Sequence, residues 1–401
     1  MRLKSTLLFA SALLLAGSSF GQYKVTTGGQ KYTLLEEATG PGCGYCPDGA
    51  QDIEQSIDTM KHAVIASWHG AYYDGTSMVV TGDPFCNGTG YITGFPESTI
   101  DRYPFGGSAI GQSRPWEGYV SSRNALPPNF DVSMKCIYAH HLSTDTARAD
   151  SAMVSLTVTV TAKALSAQTG TWNMNVFITE DSISSAPAGF QQHSYLNAST
   201  SACNGQPCWF TGLGSVLPAA SYSHMNVVRA VLATGGSVFG DLALTNPAAN
   251  ATFSKTYTYN FDSTKFNPRY MKVIGLVQAP GPANTSTGNP IENVIEARVR
   301  WMPRSISATG VTEMEKAMID VALYPNPAKN RVIVKGILSE PTETTIEIVN
   351  SIGQVVTTRK FPAGGSLFTE SIDINELSNG NYFMNIINDG QKVTKSFVVS
   401  K

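Results

Sequence analysis

Two cysteines separated by two residues are the part of this sequence best suited to chemistry. Cys43 and Cys46 stand in the run Cys-Gly-Tyr-Cys-Pro, between a predicted strand at 32–39 and a predicted helix at 47–61. The amino end of a helix offers partial positive charge and unpaired N–H groups, and both lower the pKa of a thiol. A second thiol one turn later can resolve a mixed disulfide. The spacing predicts thiol-disulfide exchange, with Cys43 attacking and Cys46 resolving.

Two other roles are open to the same pair. Cys43 and Cys46 could form a static disulfide that holds a turn, or supply half of a metal site. A zinc site needs a second pair of similar spacing, and Cys203 and Cys208 are a wider pair in another part of the chain. We therefore expect no metal and no cofactor, and keep the static disulfide as the rival interpretation.

A second motif extends the pattern. Cys-Gly-Tyr-Cys-Pro after a strand, followed by Gly-Phe-Pro-Glu-Ser-Thr at 94–99, resembles the active-site motif and the cis-proline loop of the thioredoxin superfamily. The resemblance implies that Pro96 is cis and packs beside the cysteines. The 49 residues between Cys46 and Pro96 exceed what compact members have, which implies an insertion around 75–90.

The resemblance also suggests two groups that tune the thiols. Glu37 stands six residues before Cys43, where the superfamily often places a buried acid that accepts the proton of the resolving thiol. Glu36 is then predicted to face outward. His69 ends the second predicted strand, 62–69, and when protonated could lower the pKa of Cys43. A plain hydrogen-bonded histidine is the alternative for His69.

The start of the chain predicts an oxidising compartment. Arg2 and Lys4 precede an apolar run at 7–17 and then small residues, a pattern typical of a secretory signal peptide that we expect to end at Gly21. Nothing in the sequence is long and apolar enough for a transmembrane helix. The net charge of −2 gives no basic field for nucleic acid.

Even numbers of cysteines in such a compartment favour disulfides. The sequence has six, and the two close pairs, Cys43 with Cys46 and Cys203 with Cys208, could each bridge locally. Elimination then leaves Cys86 with Cys136 as a third pair. The bridge between Cys203 and Cys208 is predicted to clip a surface loop beside Trp209.

The middle of the chain changes to a strict period of two. Apolar residues alternate with polar ones at 154–161 and at 172–179, as in half-buried strands. Four more strands are predicted at 224–233, 251–261, 270–278 and 293–301. An antiparallel sandwich over residues 129–304 fits this pattern best.

The last eighty residues carry a second resemblance. Several ordered motifs resemble the type A sorting domain of the type IX secretion system: Tyr324, Pro325, Asn326 and Pro327; Gly353 and Gln354; Leu377, Gly380 and Tyr382. In that family the domain is a small Ig-like β-sandwich that directs passage across the outer membrane. The resemblance implies the type IX machinery as a partner.

Together these features predict a multidomain chain. We expect a signal peptide at 1–21, an α/β thioredoxin-like domain at 22–128, a mainly-β sandwich at 129–304, a linker at 305–320 and a sorting domain at 321–401. In this order the parts resemble the outer membrane protein 28 family. The leading hypothesis is an outer-membrane-associated or secreted protein whose front domain exchanges disulfides with thiol-containing protein substrates. The rival is a non-enzymatic surface binding or adhesion protein with a structural Cys43-Cys46 disulfide.

Overall fold

The structure is a computed structural model that describes residues 19–401, with gaps at 72–73, 75–77, 81–91, 106–109, 141–152, 197, 199–201, 204–205, 262–265, 267–269, 280–290, 299–319, 338–342, 363–366 and 389–390. The predicted leader up to residue 18, Cys86 and most of the predicted linker lie outside the described residues. Within that part, no helix is both long enough and apolar enough to cross a membrane.

Strands dominate the described chain. The elements up to residue 140 are β1 (Ser19–Thr26), β2 (Thr33–Thr39), α1 (Cys46–Asp52), β3 (Ala63–His69), β4 (Glu97–Ile100), β5 (Gly111–Gln112), α2 (Glu117–Asn124) and β6 (Phe130–His140). The middle strands are β7 (Met153–Ala164), β8 (Thr171–Glu180), β9 (Ile183–Ser184), β10 (Ala202–Cys203), β11 (Gln206–Pro207), β12 (Ser223–His224), β13 (Val227–Val231), β14 (Asp241–Thr245), β15 (Thr252–Asn260), β16 (Met271–Gln278) and β17 (Ile291–Arg298). The last strands are β18 (Asp320–Tyr324), β19 (Arg331–Ile337), β20 (Thr344–Asn350), β21 (Val355–Phe361), β22 (Leu367–Asp373), β23 (Gly380–Asn388) and β24 (Gln391–Val399).

The described chain is mainly β and is built from several sheets. The largest sheet has the order β17-β16-β8-β13-β3-β2-β4-β5, with β14 also paired to β8. A second sheet, β1-β6-β7-β15, lies against it and encloses a core that includes Leu156, Val158, Met174 and Val176. The alternation read from the sequence therefore places one face of β7 inside, as in a half-buried strand. For β8 the half-buried prediction is wrong, because its other face is covered as well and Phe177 packs in a second core.

The strands β2 and β3 are buried on both faces. Leu34 packs in one core with Val64 and Trp68, whereas its neighbour Leu35 packs in another with the two helices. The helix predicted at 47–61 is shorter. It is α-helical over α1 and then widens into a π-helical turn, Ile53–Ile57.

The large sheet is continuous across the position near residue 128 where the sequence predicts a domain boundary. β13 lies beside β3 in parallel, with Val227 opposite Ser67. A buried ion pair strengthens this junction: Arg102 holds Glu36 through two contacts of 2.7 Å and also donates to the Val238 carbonyl and to Gln278.

The same ion pair corrects one expectation from the sequence. Glu36 was predicted to face outward, but it is only 1% exposed. The physical reason is that middle-chain residues cover this face of β2, so the strand has no solvent side. Arg102 supplies the opposite charge that a buried carboxylate needs.

The tail forms a sandwich of its own, with sheets β18-β19-β22 and β21-β20-β23-β24 around a separate core. The residues of its sequence motifs shape turns and core. Gly353 has φ of 88° in a turn closed by Asn350, and Asn326 accepts a hydrogen bond from the Val398 amide. Leu377 and Tyr382 are buried in the core.

Candidate functional site

The two front cysteines are joined and covered. Cys43 and Cys46 form a disulfide with a Cα–Cα distance of 5.4 Å, and their exposed fractions are 3% and 0%. The loop that carries Cys43 leads into α1, whose first residue is Cys46. Neither sulfur is therefore reachable by a protein substrate in this arrangement, although the pair stands where the sequence placed it.

A distant stretch of chain makes this cover. Residues 192–195, called here the covering segment, run along the disulfide loop and bond to its carbonyl oxygens. The His193 amide donates to Pro41 O at 2.8 Å, and the Tyr195 amide to Gly44 O at 2.8 Å. The side chain of Gln192, itself 0% exposed, donates to Cys43 O at 2.9 Å.

Aromatic contacts complete the cover. The Tyr195 ring lies so close to Gly44 that a Cβ at that position would collide with it. Tyr195 also meets Tyr45 edge to face, with 5.3 Å between ring centroids. Only glycine at position 44 allows this approach.

The sequence contains no signal for the covering segment. It carries neither a strand period nor a motif, and some 150 residues separate it from the cysteines. A neighbouring loop contacts the same region. Cys203 and Cys208 form the second disulfide, and the amide of the following residue, Trp209, donates a hydrogen bond to Gln51 on α1 at 2.9 Å. The clipped loop thus also docks on the front of the molecule.

Glu37 is buried, at 3% exposure. One carboxylate oxygen accepts from the Ser67 hydroxyl at 2.8 Å, and the other has no partner in the described part of the chain. Burial raises the pKa of Glu37 to about 7, against the opposing effects of the Ser67 hydrogen bond and the Arg114 charge. Glu37 is thus a carboxyl group that gains or loses a proton near neutral pH.

The helix after the cysteines brings Glu37 and Pro96 together. A Cβ at Gly49 would stand 2.6 Å from the free oxygen of Glu37 and 2.9 Å from Pro96 Cβ. The Phe95–Pro96 peptide bond is cis. Cys46, Glu37 and Pro96 therefore meet around the first turns of α1.

His69 has a different set of neighbours. Its Nδ1 lies 2.7 Å from Asp74, and its ring packs edge to face on His224. Burial lowers the pKa of His224 to about 4, which keeps that ring neutral. The hydrogen-bond partner described for His69 is thus the Asp74 carboxylate.

Two further predictions concern the bridge between Cys86 and Cys136 and the binding of a metal ion. Cys136 is buried on β6, but the bridge to Cys86 remains a prediction because Cys86 lies outside the described residues. Among the residues that are described, no group of three or more histidine, cysteine or acidic side chains could hold a metal ion.

The buried acid gives a first testable prediction. The pKa of Glu37 is about 7 in the folded protein against an ordinary 4.5, so its ionisation costs about 3 kcal/mol of stability, fully present only above pH 7. Glu37→Gln removes this cost. Urea unfolding is expected to show the variant more stable than the parent at pH 8.5, by up to about 3 kcal/mol, and equally stable near pH 4.5. A constant difference at both values would contradict the buried, titrating carboxyl.

Comparison with known proteins identifies one part of the chain. Residues 322–400 match the secretion system C-terminal sorting domain. The tail therefore marks a protein handled by the type IX secretion machinery and exported to the outer membrane surface or secreted. This confirms the sorting-domain prediction and the predicted localisation.

Two solved structures show weaker likenesses over larger parts of the chain. HBP35 of Porphyromonas gingivalis is 19% identical, with a TM-score of 0.48 over 92% of this chain and 99% of that one. A biofilm-associated protein, in its BSP domain, is 11% identical, with a TM-score of 0.19 over 73% of this chain and 63% of that one. No curated protein matches.

Proposed function

We propose that this chain is an exported surface binding protein whose front segment has a thioredoxin-like arrangement but holds its cysteines as a structural disulfide. The single observation that carries the proposal is the burial of Cys43 and Cys46 beneath residues 192–195. Thiol-disulfide exchange needs in-line access of a substrate sulfur to the attacking thiol. The hydrogen bonds from residues 192–195 instead tie the disulfide loop to the middle of the chain.

Three features support the thioredoxin-like arrangement. The strand order β3-β2-β4-β5, with β2 parallel to β3 and antiparallel to β4, suits that superfamily. The cysteine pair enters a helix after β2, and a cis-proline precedes β4. The middle strands β13, β8, β16 and β17 then extend the same sheet, which gives the front segment a broad and rigid support.

Thiol-disulfide exchange is the second candidate, and Glu37 is the observation that favours it. A buried carboxyl with a pKa of about 7 beside α1 suits the acceptor of a resolving thiol's proton. This function requires the covering segment to open. The proposed signal peptide and the outer membrane protein 28 relationship fit either candidate.

An insulin-reduction assay separates the two candidates. With dithiothreitol as reductant, we expect the full chain to add no rate above the uncatalysed reaction, and Cys43→Ser to behave identically. Gln192→Ala loosens the cover and tests whether exchange needs the covering segment to open. Gln191→Ala is the matched control, because the hydrogen bond that Gln191 makes among the described residues is local: its side chain accepts from the Gly189 amide. Catalysis by the parent that disappears in Cys43→Ser would overturn the structural-disulfide proposal.

A further inference from the structure

A cavity of about 480 Å³ opens beside the covered disulfide. It lies where β2 and β3 end, between the front of the molecule, the middle segment at 221–226 and the tail. Volumes of this size suit small organic ligands. Its lining includes Glu37, Glu54, Ser67, Trp209, Phe210 and Tyr222.

The charges in this cavity do not cancel. Lys272 is held by Asp181 at 2.9 Å and Lys335 by Asp58 at 3.2 Å, so both lysines are neutralised by carboxylates. Glu54 is exposed and has no ion pair with a described residue. Glu37 receives one hydrogen bond, from Ser67, and keeps an oxygen without a partner. When Glu37 ionises, the excess charge of the cavity is negative.

Aromatic rings also line the cavity. Phe210 and Tyr222 are packed with 5.9 Å between ring centroids, and Trp209 is 43% exposed at the rim. Aromatic faces attract cations and cover apolar groups. An anion in this space would meet the carboxylates and the negative faces of the rings.

We propose that this cavity binds a small organic cation, an ammonium group carried on an aromatic or apolar body. The ammonium group lies at the Glu37 and Ser67 end, and the body lies against Trp209, Phe210 and Tyr222. The inference rests on the proposed binding function and names its ligand class.

Binding of this kind is coupled to a proton. An ammonium group favours the ionised carboxylate, so a Glu37 with a pKa of about 7 releases about half a proton at pH 7 when the ligand binds. The affinity is then expected to rise about tenfold between pH 6 and pH 8. Two charged groups face Glu37 from outside the cavity lining, Arg114 and Asp52. The charged and titratable groups that share the cavity with it are Glu54, Asp58, His69, Asp181, Tyr222, His224, Tyr270, Lys272, Tyr324 and Lys335. Among these, burial also raises the pKa of Glu54 to about 7. Glu37→Gln isolates the Glu37 contribution from theirs.

Titration calorimetry with phenethylammonium tests the inference on the full-length, oxidised protein. We expect binding at pH 8, release of about half a proton at pH 7 in paired buffers, and no binding of 3-phenylpropionate, an anion of similar size. Glu37→Gln is expected to lose at least tenfold in affinity at pH 8 and to lose the tenfold rise that Glu37 contributes between pH 6 and pH 8. Trp209→Ala is expected to bind more weakly at every pH. Glu376→Gln, an exposed change in the tail, is the matched control.

Several results would overturn the inference: no binding of phenethylammonium by the parent, equal binding of the anion, or unchanged affinity and proton release in Glu37→Gln. The Gln variant is expected to fold at least as well as the parent at pH 8, because it removes a buried charge. Failure of this inference can be told apart from failure of the proposed function. The proposed function fails if Cys43 catalyses insulin reduction, and that result does not affect the phenethylammonium titration.

Discussion

Removal of residues 320–401 is expected to abolish surface delivery and leave the remaining protein folded in the periplasm. The tail carries the sorting-domain match and has its own core, with no residue shared with the cores of the front and middle segments. Among the described residues, its contacts with the front include Tyr324 and Lys335 on Asp58 at 3.2 Å each and an ion pair between Lys61 and Glu370. Partly exposed contacts of this kind contribute about 0–1 kcal/mol each.

Surface labelling and fractionation measure the outcome, with circular dichroism as the check on folding. Lys335→Ala is the matched control, because it breaks the contact with Asp58 but leaves the sorting domain intact; it should reach the surface at the parental level. The same segment fused to a leader-bearing reporter should carry the reporter out. Surface delivery of the truncated chain at the parental level would contradict the assignment of the tail as the export signal.

The sequence predicts the parts of this protein that depend on local pattern. Alternation of apolar residues places Leu156 and Val158 in a core, and ordered turn and core residues identify the tail. The short spacing between Cys43 and Cys46 and between Cys203 and Cys208 brings each pair within bridging distance. Each of these features depends on residues that are close together in the sequence.

What the sequence does not predict depends on distant contacts. The outward prediction for Glu36 assumed a strand with one solvent face, whereas adjacent Leu34 and Leu35 both pack in cores. Arg102, which neutralises Glu36, lies 66 residues away. Likewise, nothing in the sequence marks Gln192, because its hydrogen bond to the Cys43 carbonyl joins residues that are distant along the chain.

Residues 192–195 cover the Cys43–Cys46 disulfide and keep reagents away from it. Three hydrogen bonds from the covering segment to the disulfide loop, at about 1 kcal/mol each, make the uncovered state roughly a hundredfold rarer than the covered one. The disulfide should therefore react only during local opening of the cover.

The most direct test is the rate at which phosphine reduces this disulfide in the native protein, read by trapping the thiols with iodoacetamide and mass spectrometry. A synthetic peptide of residues 40–50, oxidised, serves as the uncovered reference. We expect reduction in the protein to be about a hundredfold slower than in the peptide, about fivefold faster again in Gln192→Ala, and unchanged in Gln191→Ala. Reduction of the parent as fast as the peptide, with no effect of Gln192→Ala, would contradict the closed disulfide.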